Sequence, residues 1–408
     1  MGAVSGTENL VGGLDDIFLR RFRNRAQMAE KSAEEFTFGI EEEYFLHDTV
    51  SKKAAVRTPD ALFRDANRAT GGRVQREFLQ VQAEASTRPK SSMAAAEQEL
   101  RFTRNVLAQL AAERGFSLLA SGTHPTGQWR RSESTDQERY DRVMHDLQMI
   151  GQRDMLCGMH VHVELPDPRR RVEVMYRLLP YLPLFVALST SSPFWTSRET
   201  GLKGYRLAAY DELPRTGLPE LFRSNDEYQA YVGALVRAQV IEDASYVWWM
   251  IRPSTKYPTL ELRAPDCCTR IEDAIAIAAL YRVLVRHLYN NPSLNEGVDV
   301  VSRALAVENK WRAQRYGIHG SFVTECGAVS VPCFLEQVLR LTAEDAKILE
   351  SEEAAGCRRI IALGTSADAQ LSVYRKSIDR GTEAALDAVV EWIANNTVVA
   401  SAPAEGQQ

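Results

Sequence analysis

The chain has 408 residues, of which 45% are hydrophobic and 25% are charged, and its formal net charge at pH 7 is -5. This length allows a sizeable core, in one large domain or in two of ordinary size. Lys and Arg are spread along the chain, which excludes the basic footprint of a protein that binds a nucleic-acid backbone. We therefore expect a soluble globular protein without a nucleic-acid partner.

The apolar runs and the cysteines indicate the cellular compartment of the protein. The start of the chain lacks the apolar core of a signal peptide, and the longest apolar runs, at 181–188 and 274–285, are short or broken by Pro and Arg. The six cysteines show no CxxC pair and no framework spacing, which is typical of reduced thiols. These features predict a cytoplasmic protein with no membrane partner.

A single domain is predicted at residues 36–398, with an extension before it and a tail after it. Residues 1–35 open with Gly, Ser and Thr and continue with helix formers from residue 15, so we expect a flexible lead and then a surface helix. Residues 399–408 are predicted to be disordered. No Pro/Gly-rich linker divides the sequence between these ends.

The run Phe38–Leu46 carries three consecutive carboxylates, Glu41, Glu42 and Glu43, inside an apolar and aromatic stretch. In a strand, Glu41 and Glu43 share one face and Glu42 lies on the other. Two carboxylates on one face repel each other unless water screens them or a cation lies between them. The run therefore indicates either a cation site or an edge strand with a solvated acidic face.

Three later segments repeat the pattern of one apolar and one polar strand face. Their polar positions are Gln80, Gln82 and Glu84 in 77–85, His160, His162 and Glu164 in 157–165, and Thr259, Glu261 and Arg263 in 259–264. Helical patterns lie between and after these strands, at 93–114, 133–149, 169–190 and 225–242, and in segments from 271 to 395. Strands in the first two thirds and helices in the last third predict an α+β fold, with helices on one face of the sheet.

The polar strand faces together indicate a metal site near an arginine. They offer Glu41, Glu43, Glu84, Glu261, His160, His162 and Arg263. A merely solvated sheet face would favour Thr, Ser and Lys, whereas clustered carboxylate oxygens suit Mg²⁺ or Mn²⁺. Magnesium beside an arginine is the usual apparatus for holding phosphate. No GxxxxGK[ST] or GxGxxG run occurs, so a bound nucleotide would be held by metal and sheet.

The histidines leave several interpretations open. His160 and His162 face the same way in a strand, which allows a zinc site of two histidines and a carboxylate. Alternatively, one of them completes an oxygen-rich magnesium site, or the pair is structural. His124 is predicted to make a loop hydrogen bond or to contact substrate, with the structural role as the default.

Seven motifs occur in the order seen in a known family: FTFGIEEEYFL, LQVQAEAST, SGTHP, GMHVHVEL, TGLKGYR, IRPSTKYPTLELRAPD and RYGIHG. On these residues the chain resembles the glutamate-cysteine ligase 2 family, the YbdK-type carboxylate-amine ligases, from about Phe36 to near Ala394. The resemblance implies a glutamine-synthetase-like fold, in which a curved, mainly antiparallel sheet cradles ATP and magnesium on its open face. It also implies an ATP-dependent reaction, in which a substrate carboxylate becomes an acyl phosphate and an amine then displaces phosphate to give an amide.

The resemblance also implies roles for individual residues. The implied metal ligands are Glu41, Glu43, Glu84, Glu261, His160 and Glu77, which is predicted on the same strand as Glu84. Arg263 would neutralise charge on the transferred phosphoryl group, and Arg206, from the long loop predicted at 191–223, would contact substrate carboxylate or phosphate. Gln82 is predicted as a further cofactor contact. The chain departs from the family at Met250, where relatives carry Asp.

The expected function is thus a carboxylate-amine ligase with ATP and Mg²⁺, or Mn²⁺, as cofactors and with small-molecule acid and amine substrates. A weak glutamate-cysteine ligase activity is one form of it. Two other readings stay open: a zinc-dependent metallohydrolase that uses His160 and His162, and a non-catalytic nucleotide-binding relative. A homo-oligomer, most simply a dimer, is expected from the family and from base rates for soluble enzymes.

Overall fold

The computed structural model describes residues 35–398. The helix predicted before residue 35 and the tail predicted after residue 398 lie outside the described residues. The described part contains one eight-stranded sheet, two short two-stranded sheets and a helical layer, with brief 3-10 turns between the elements.

The elements are numbered in chain order. The strands are β1 (Phe38–Asp48), β2 (Lys53–Ala54), β3 (Val74–Arg76), β4 (Gln82–Ser86), β5 (Phe116–Leu119), β6 (Met159–Glu164), β7 (Phe194–Trp195), β8 (Arg198–Glu199), β9 (Ile251–Pro253), β10 (Thr259–Leu262), β11 (Ser321–Thr324) and β12 (Gly327–Ser330). The helices are α1 (Asp60–Ala69), α2 (Met93–Ala112), α3 (Glu138–Leu147), α4 (Met149–Gln152), α5 (Arg171–Leu178), α6 (Leu182–Ser189), α7 (Tyr205–Tyr210), α8 (Asn225–Arg237), α9 (Ile271–Asn290), α10 (Val300–Tyr316), α11 (Val331–Leu341), α12 (Ala343–Ile348), α13 (Cys357–Leu363), α14 (Ser366–Ser377) and α15 (Thr382–Thr397).

Strand β1 is the centre of the large sheet. The strand order is β3-β4-β1-β6-β10-β9, and β2 and β5 pair with the second half of β1. Every pairing in this sheet is antiparallel. The predictions of an α+β class and of a mainly antiparallel sheet are confirmed.

Helices cover one face of the sheet because that face is apolar. Phe38, Ile40, Val161, Leu260 and Leu262 are all buried there, in a core that also contains α5, α6 and most of α9. Each fully buried aliphatic side chain of this kind contributes about 1.5–3 kcal/mol. A second core surrounds the far end of β1, where α1, α2 and α15 pack around β4 and β5. The opposite face of β1, β6 and β10 stays open and carries the polar side chains.

Residues Pro168–Ser189, which include α5 and α6, form the single stretch among the described residues that is long and apolar enough to cross a membrane, with a mean hydropathy of 1.3. However, 89% of this window is buried inside the protein. A core helix of a globular protein passes the same test, and the packing of α5 and α6 against α9 gives this stretch that role.

The strand predicted at 77–85 was wrong in its first half. Strand β4 begins at Gln82, and residues 77–81 turn back from β3 to β4. Leu79 and Val81 are buried in the second core, so their apolar alternation reflects packing of a turn. Within this turn a side chain takes the place of a strand partner, since the Oε1 of Gln82 accepts from the backbone N–H of Leu79 at 3.1 Å. Glu77 and Glu84 therefore lie on opposite sides of this turn.

Several helix predictions were also wrong in their bounds. The predicted loop at 191–223 contains the β7–β8 hairpin and helix α7, so Arg206 is a helical residue. The predicted helix at 133–149 starts only at Glu138 and breaks at Gln148, whose φ is 51°. The pattern also missed α14, which has few apolar residues and begins with a capping box of Thr365 and Asp368.

Candidate active site

The register of the central strands brings the predicted site residues together. Glu41 lies opposite His160, Glu43 opposite Glu84, and Glu261 opposite His162. Side chains of directly opposed residues on one face are neighbours, so the open face holds a continuous polar patch. A cleft of about 510 Å³ covers this patch. Its lining includes all the predicted site residues, namely Glu41, Glu43, Glu77, Gln82, Glu84, His160, Arg206, Glu261 and Arg263.

Carboxyl groups crowd one end of the cleft. Burial, and then the charge of Glu43, raise the pKa of Glu77 to about 7. Burial raises the pKa of Glu84 well above its usual value, and the charges of Glu77, Glu41 and Glu43 add to this. The interaction between Glu77 and Glu84 lowers the pKa of Glu77 and raises that of Glu84, as is typical of two carboxyl groups that share one proton. Like charges held this close are relieved by a proton or by a cation.

Glu41 lies between the two histidines of β6. Its carboxylate oxygens are 3.5 Å from His160 Nδ1 and 3.5 Å from His162 Nε2. Burial alone would raise the pKa of Glu41, but the hydrogen bonds to His160 and His162 outweigh it and lower that pKa far below its usual value. Burial lowers the pKa of His160, and its Nε2 is buried without a hydrogen-bond partner. A neutral imidazole with a free ring nitrogen is the form that binds a metal.

The two nitrogens of His162 differ. Nδ1 is 2.9 Å from the hydroxyl of Thr259, whereas Nε2 lies 3.5 Å from Glu41 and is buried without a hydrogen-bond partner. Burial would lower the pKa of His162, but the interaction with Glu41 and the charge of Glu261 raise it and so favour the charged imidazolium. This arrangement disfavours a zinc site that uses His160 and His162 as two neutral ligands.

The donor set fits magnesium or manganese better than zinc, since oxygen atoms outnumber free ring nitrogens. Among residues 35–398, no three His, Cys, Asp or Glu side chains form a ready-made cage. One of the predicted ligands, Glu261, is already paired, because both of its carboxylate oxygens accept from arginine side chains. The residues therefore fit the metal by chemistry, and a bound ion would draw the carboxylates toward it.

Two arginines flank Glu261 at the other end of the cleft. Arg252 donates from Nε to Oε2 at 2.8 Å and from Nη2 to Oε1 at 3.2 Å, and Arg263 donates from Nη1 to Oε1 at 2.5 Å. Burial would raise the pKa of Glu261, but the two guanidinium groups hold it well below the usual range. Arg263 also donates to the hydroxyl of Tyr210 at 3.3 Å. This end can therefore bind negative charge.

Helix α7 presents Arg206 and Tyr210, one turn apart, to the same cleft. The Nη1 of Arg206 donates to the carbonyls of Arg263 and Pro265 at 3.3 and 3.2 Å. A Cβ on Gly158 would lie only 2.1 Å from Nη2 of Arg206. The glycine of the GMHVHVEL motif is therefore required for the guanidinium to enter the cleft.

Three other predicted residues have structural surroundings. The amide of Gln82 is taken up by backbone, donating to the carbonyl of Leu156 at 2.7 Å and accepting from Leu79, so its cofactor contact stays a prediction. His124 is buried outside the cleft and its Nε2 is 3.2 Å from His47 Nδ1, which favours the structural role. Met250 is buried in the first core.

Sequence reasoning missed three cleft residues. Arg252 lies in a quoted motif, and the opposition of β9 to β10 pairs it with Glu261, so strand alternation gave a usable signal. Tyr210 follows Arg206 by one helical turn, a signal that depends on recognising α7. Asp154 lies in a turn before β6 without any pattern to mark it. Burial, and then the charges of Glu43 and Glu77, raise the pKa of Asp154 to about 7.

The chain matches one protein family over most of its length. The model of the family described as "Glutamate-cysteine ligase family 2 (GCS2)" matches residues 37–389. A protein from Bradyrhizobium sp. (strain ORS 278) is 53% identical over 389 residues, which cover 95% of this chain and 94% of the relative. One from Rhodospirillum rubrum is 43% identical over 372 residues, 89% of this chain and 96% of the relative. Both bear the name "Putative glutamate--cysteine ligase 2".

Two solved structures share the fold. The bifunctional glutathione synthetase of Pasteurella multocida superposes with a TM-score of 0.65 at 15% identity, over 92% of this chain and 54% of that one. The glutamate–cysteine ligase of Francisella tularensis in complex with AMP gives a TM-score of 0.65 at 13% identity, over 91% and 90% of the two chains. The predicted glutamine-synthetase-like class is confirmed. The chain belongs to the glutamate-cysteine ligase family 2, and it is a ligase that forms a carbon–nitrogen bond.

Proposed function

We propose that the protein is an ATP-dependent carboxylate-amine ligase that forms an amide through an acyl phosphate. One observation carries the proposal: a single cleft on the open sheet face brings a cluster of carboxyl groups together with buried arginines. Phosphoryl transfer needs positioning and charge neutralisation more than covalent help from the protein. No protein nucleophile is required, because the substrate carboxylate attacks ATP.

The carboxyl groups of the cleft would hold the nucleotide through Mg²⁺ or Mn²⁺. The proposed ligands are Glu41, Glu43, Glu77, Glu84, His160 and Glu261. A bound magnesium ion would supply charge neutralisation for the phosphate groups. The unpaired Nε2 of His160 and the raised pKa of Glu77, which is crowded by Glu43, support a cation at this place. The related fold of a ligase in complex with AMP supports ATP as the nucleotide.

Two arginines of the cleft would hold the reacting groups. Arg263 neutralises charge that develops on the transferred phosphoryl group, and Arg206 orients the substrate carboxylate or the acyl phosphate. In the nucleotide-free protein, Glu261 balances the charge of Arg263. The acyl phosphate then loses phosphate as the amine nitrogen bonds to the acyl carbon.

The substrates are small molecules, with glutamate and cysteine as the first pair to test, including for weak activity. The proposal places the enzyme in the cytoplasm as a homodimer or higher homo-oligomer, without nucleic-acid or membrane partners. Light scattering checks the assembly, since the monomer mass of 45.8 kDa at micromolar concentrations would reject an oligomer.

The decisive experiment measures phosphate release from ATP and Mg²⁺, with glutamate alone and then with glutamate and a panel of amines, while mass spectrometry reads the product. Amine-dependent release with a product one water lighter than its two substrates supports the ligase. Glu41→Gln and Glu261→Gln should each abolish amide formation, whereas Glu164→Gln should not, because Glu164 accepts from the hydroxyl of Thr37 and does not line the cleft. Full activity in both cleft variants would overturn the proposal.

Two other results would favour the other candidates. Stoichiometric zinc in protein purified without added metal, with hydrolysis lost in His162→Ala, would favour the metallohydrolase. Nucleotide bound without turnover over a broad panel of acids and amines would favour the non-catalytic relative.

A further inference from the structure

Two sequence motifs meet next to the cleft without lining it. Apart from Arg206, the motifs TGLKGYR (200–206) and RYGIHG (315–320) supply no residue to the cleft lining. The backbone N–H groups of Lys203 and Gly204 both donate to the carbonyl of Gln314, at 2.7 and 3.0 Å, directly before the second motif. A Cβ on Gly317 would lie 3.1 Å from Cδ of Lys203, and the φ of Gly317 is +55°. The segment around Lys203 and the segment around Gly317 are therefore closely packed.

The Lys203 side chain forms an ion pair with Asp368 at the start of α14. Only 16% of the lysine and 21% of the aspartate side chain are exposed, so water screens the pair weakly. Asp368 Oδ2 also accepts from the backbone N–H and the hydroxyl of Thr365, at 3.0 and 2.9 Å. His319 Nε2 lies 3.3 Å from Oδ1 of the same aspartate. Asp368 is therefore a fixed anchor for the lysine.

Ser192 links Lys203 to Arg206. The carbonyl of Lys203 accepts from the N–H of Ser192 at 3.1 Å, and the carbonyl of Ser192 accepts from the N–H of Tyr205 at 3.1 Å. The N–H of Arg206 donates to the Ser192 hydroxyl at 3.0 Å, which in turn donates to buried Asp266 at 2.6 Å. A shift of the backbone at Lys203 is thus transmitted to the first turn of α7.

Arg206 depends on this backbone because its own side-chain bonds are weak. Its hydrogen bonds to the carbonyls of Arg263 and Pro265 are 3.3 and 3.2 Å long, and its Nε is buried without a partner. The guanidinium packs directly over Gly158, where a Cβ would lie 2.1 Å from Nη2. A small movement of α7 therefore changes where the Arg206 charge lies.

We propose that Lys203 is a positioning residue: its ion pair with Asp368 holds the turn before α7 and thereby keeps Arg206 in the cleft. The effect on catalysis rests on the proposed function, in which Arg206 contacts the reacting groups. Removing one partner of a weakly screened ion pair leaves the other without compensation, so the turn relaxes. A misplacement of about 1 Å can cost roughly 100-fold in rate.

The first test is a double-mutant cycle on kcat and KM for amide formation. Lys203→Met should lower kcat roughly 10- to 100-fold, with a smaller change in KM. In the Arg206→Gln background the same substitution should have no further effect, because the residue that it positions is gone. Lys347→Met is the matched control and should keep wild-type rates, since Lys347 is 66% exposed and pairs with Glu344 on the surface. If the loss of kcat in the double variant equalled the product of the two single losses, the proposal would be overturned.

The second test does not depend on activity. Crystal structures of the full chain with Lys203→Met and with Asp368→Asn should show the Arg206 guanidinium displaced from the carbonyls of Arg263 and Pro265. Asp368→Asn keeps the side-chain volume and one acceptor, so it serves where Lys203→Met does not fold. An unmoved Arg206 in either structure would overturn the positioning role. A wild-type protein inactive with every substrate would instead overturn the proposed function, and the crystallographic comparison would still decide the role of Lys203.

Discussion

Glu41, Glu42 and Glu43 are consecutive residues in two unrelated environments. Glu41 and Glu43 face the cleft, whereas Glu42 is fully buried on the helical side. Glu42 accepts from Nε of Arg104 at 2.9 Å and from the hydroxyl of Tyr44 at 2.5 Å. The acidic run therefore faces the cleft on one side and the core on the other.

Glu42→Gln should destabilise the fold without changing the cleft. It leaves the buried charge of Arg104 uncompensated, which lowers the free energy of unfolding by about 3–5 kcal/mol. Urea denaturation measures the loss. Glu41→Gln is the neighbouring comparison: it should weaken nucleotide binding, which Glu42→Gln should leave near the wild type. Equal stability of Glu42→Gln and the wild type would contradict the structural role of the pair.

The raised pKa of Glu77 predicts a pH dependence of stability. Because the folded pKa of about 7 exceeds the usual value of 4.5, the folded state binds the proton more tightly than the unfolded state. The resulting stabilisation is complete below about pH 4.5 and is lost as the pH rises through 7. Thermal unfolding of the metal-free protein should show this loss, and Glu77→Gln should reduce it. If the unfolding temperature depended on pH in the same way in the wild type and in Glu77→Gln, the raised pKa of Glu77 would be refuted.

At the scale of elements, alternation is a reliable guide only where the backbone is extended. The patterns in β1, β6 and β10 correspond to strands, but the same alternation at 77–81 marks a buried turn. Short helices are equally hard to recognise, since α7 has only six residues and no apolar period to reveal it. In both places tertiary packing overrides the local pattern.

Helix α3 lies over the cleft and is held by partly buried contacts, such as the pair of rings of Tyr140 and Phe78. Tyr140, Val143 and Leu147 line the cleft, and none of the described side chains of α3 is fully buried. The Arg142–Glu242 ion pair is about half exposed at both ends and contributes little. Helix α3 is therefore an element of low local stability beside the binding site.

Hydrogen exchange tests whether α3 has low local stability. Amides of α3 should exchange at least about tenfold faster than those of α9, which is largely buried. Adding ATP and Mg²⁺ should slow α3, whereas amides of α15, away from the cleft, should not change. Protection of α3 equal to that of α9 in the ligand-free protein would contradict the prediction.

At the scale of the whole molecule, the two ends of the described chain meet around Arg104. This residue pairs with Glu42 of β1 and donates to the carbonyls of Thr269 and Thr397, at 2.9 and 3.4 Å. The hydroxyl of Thr397 accepts from the N–H of Ala120 at 2.9 Å. Residues 36–398 are thus predicted to unfold as one unit, with α15 as a necessary part.

Substitutions at Thr397 test whether the contact between the two ends of the described chain stabilises the fold. Thr397→Val leaves the buried N–H of Ala120 unpaired and should lower the free energy of unfolding by roughly 1–3 kcal/mol. Thr397→Ser keeps the hydroxyl and should stay near the wild type. A chain that ends at residue 398 should retain the wild-type unfolding midpoint in the same urea titration. Equal stability of the Val and Ser variants would show that the end of α15 is dispensable.

The sequence by itself determined which side chains share a strand face, because the side-chain period of a strand is two. That rule placed Glu41 with Glu43, His160 with His162, and Glu261 with Arg263, and the motif order identified the family. Only the tertiary structure decided the register that sets Glu41 between two histidines, the engagement of Glu261 by Arg252, and the entry of Arg206 over Gly158. These contacts join segments far apart in the chain, and their geometry follows from packing, which no local pattern encodes.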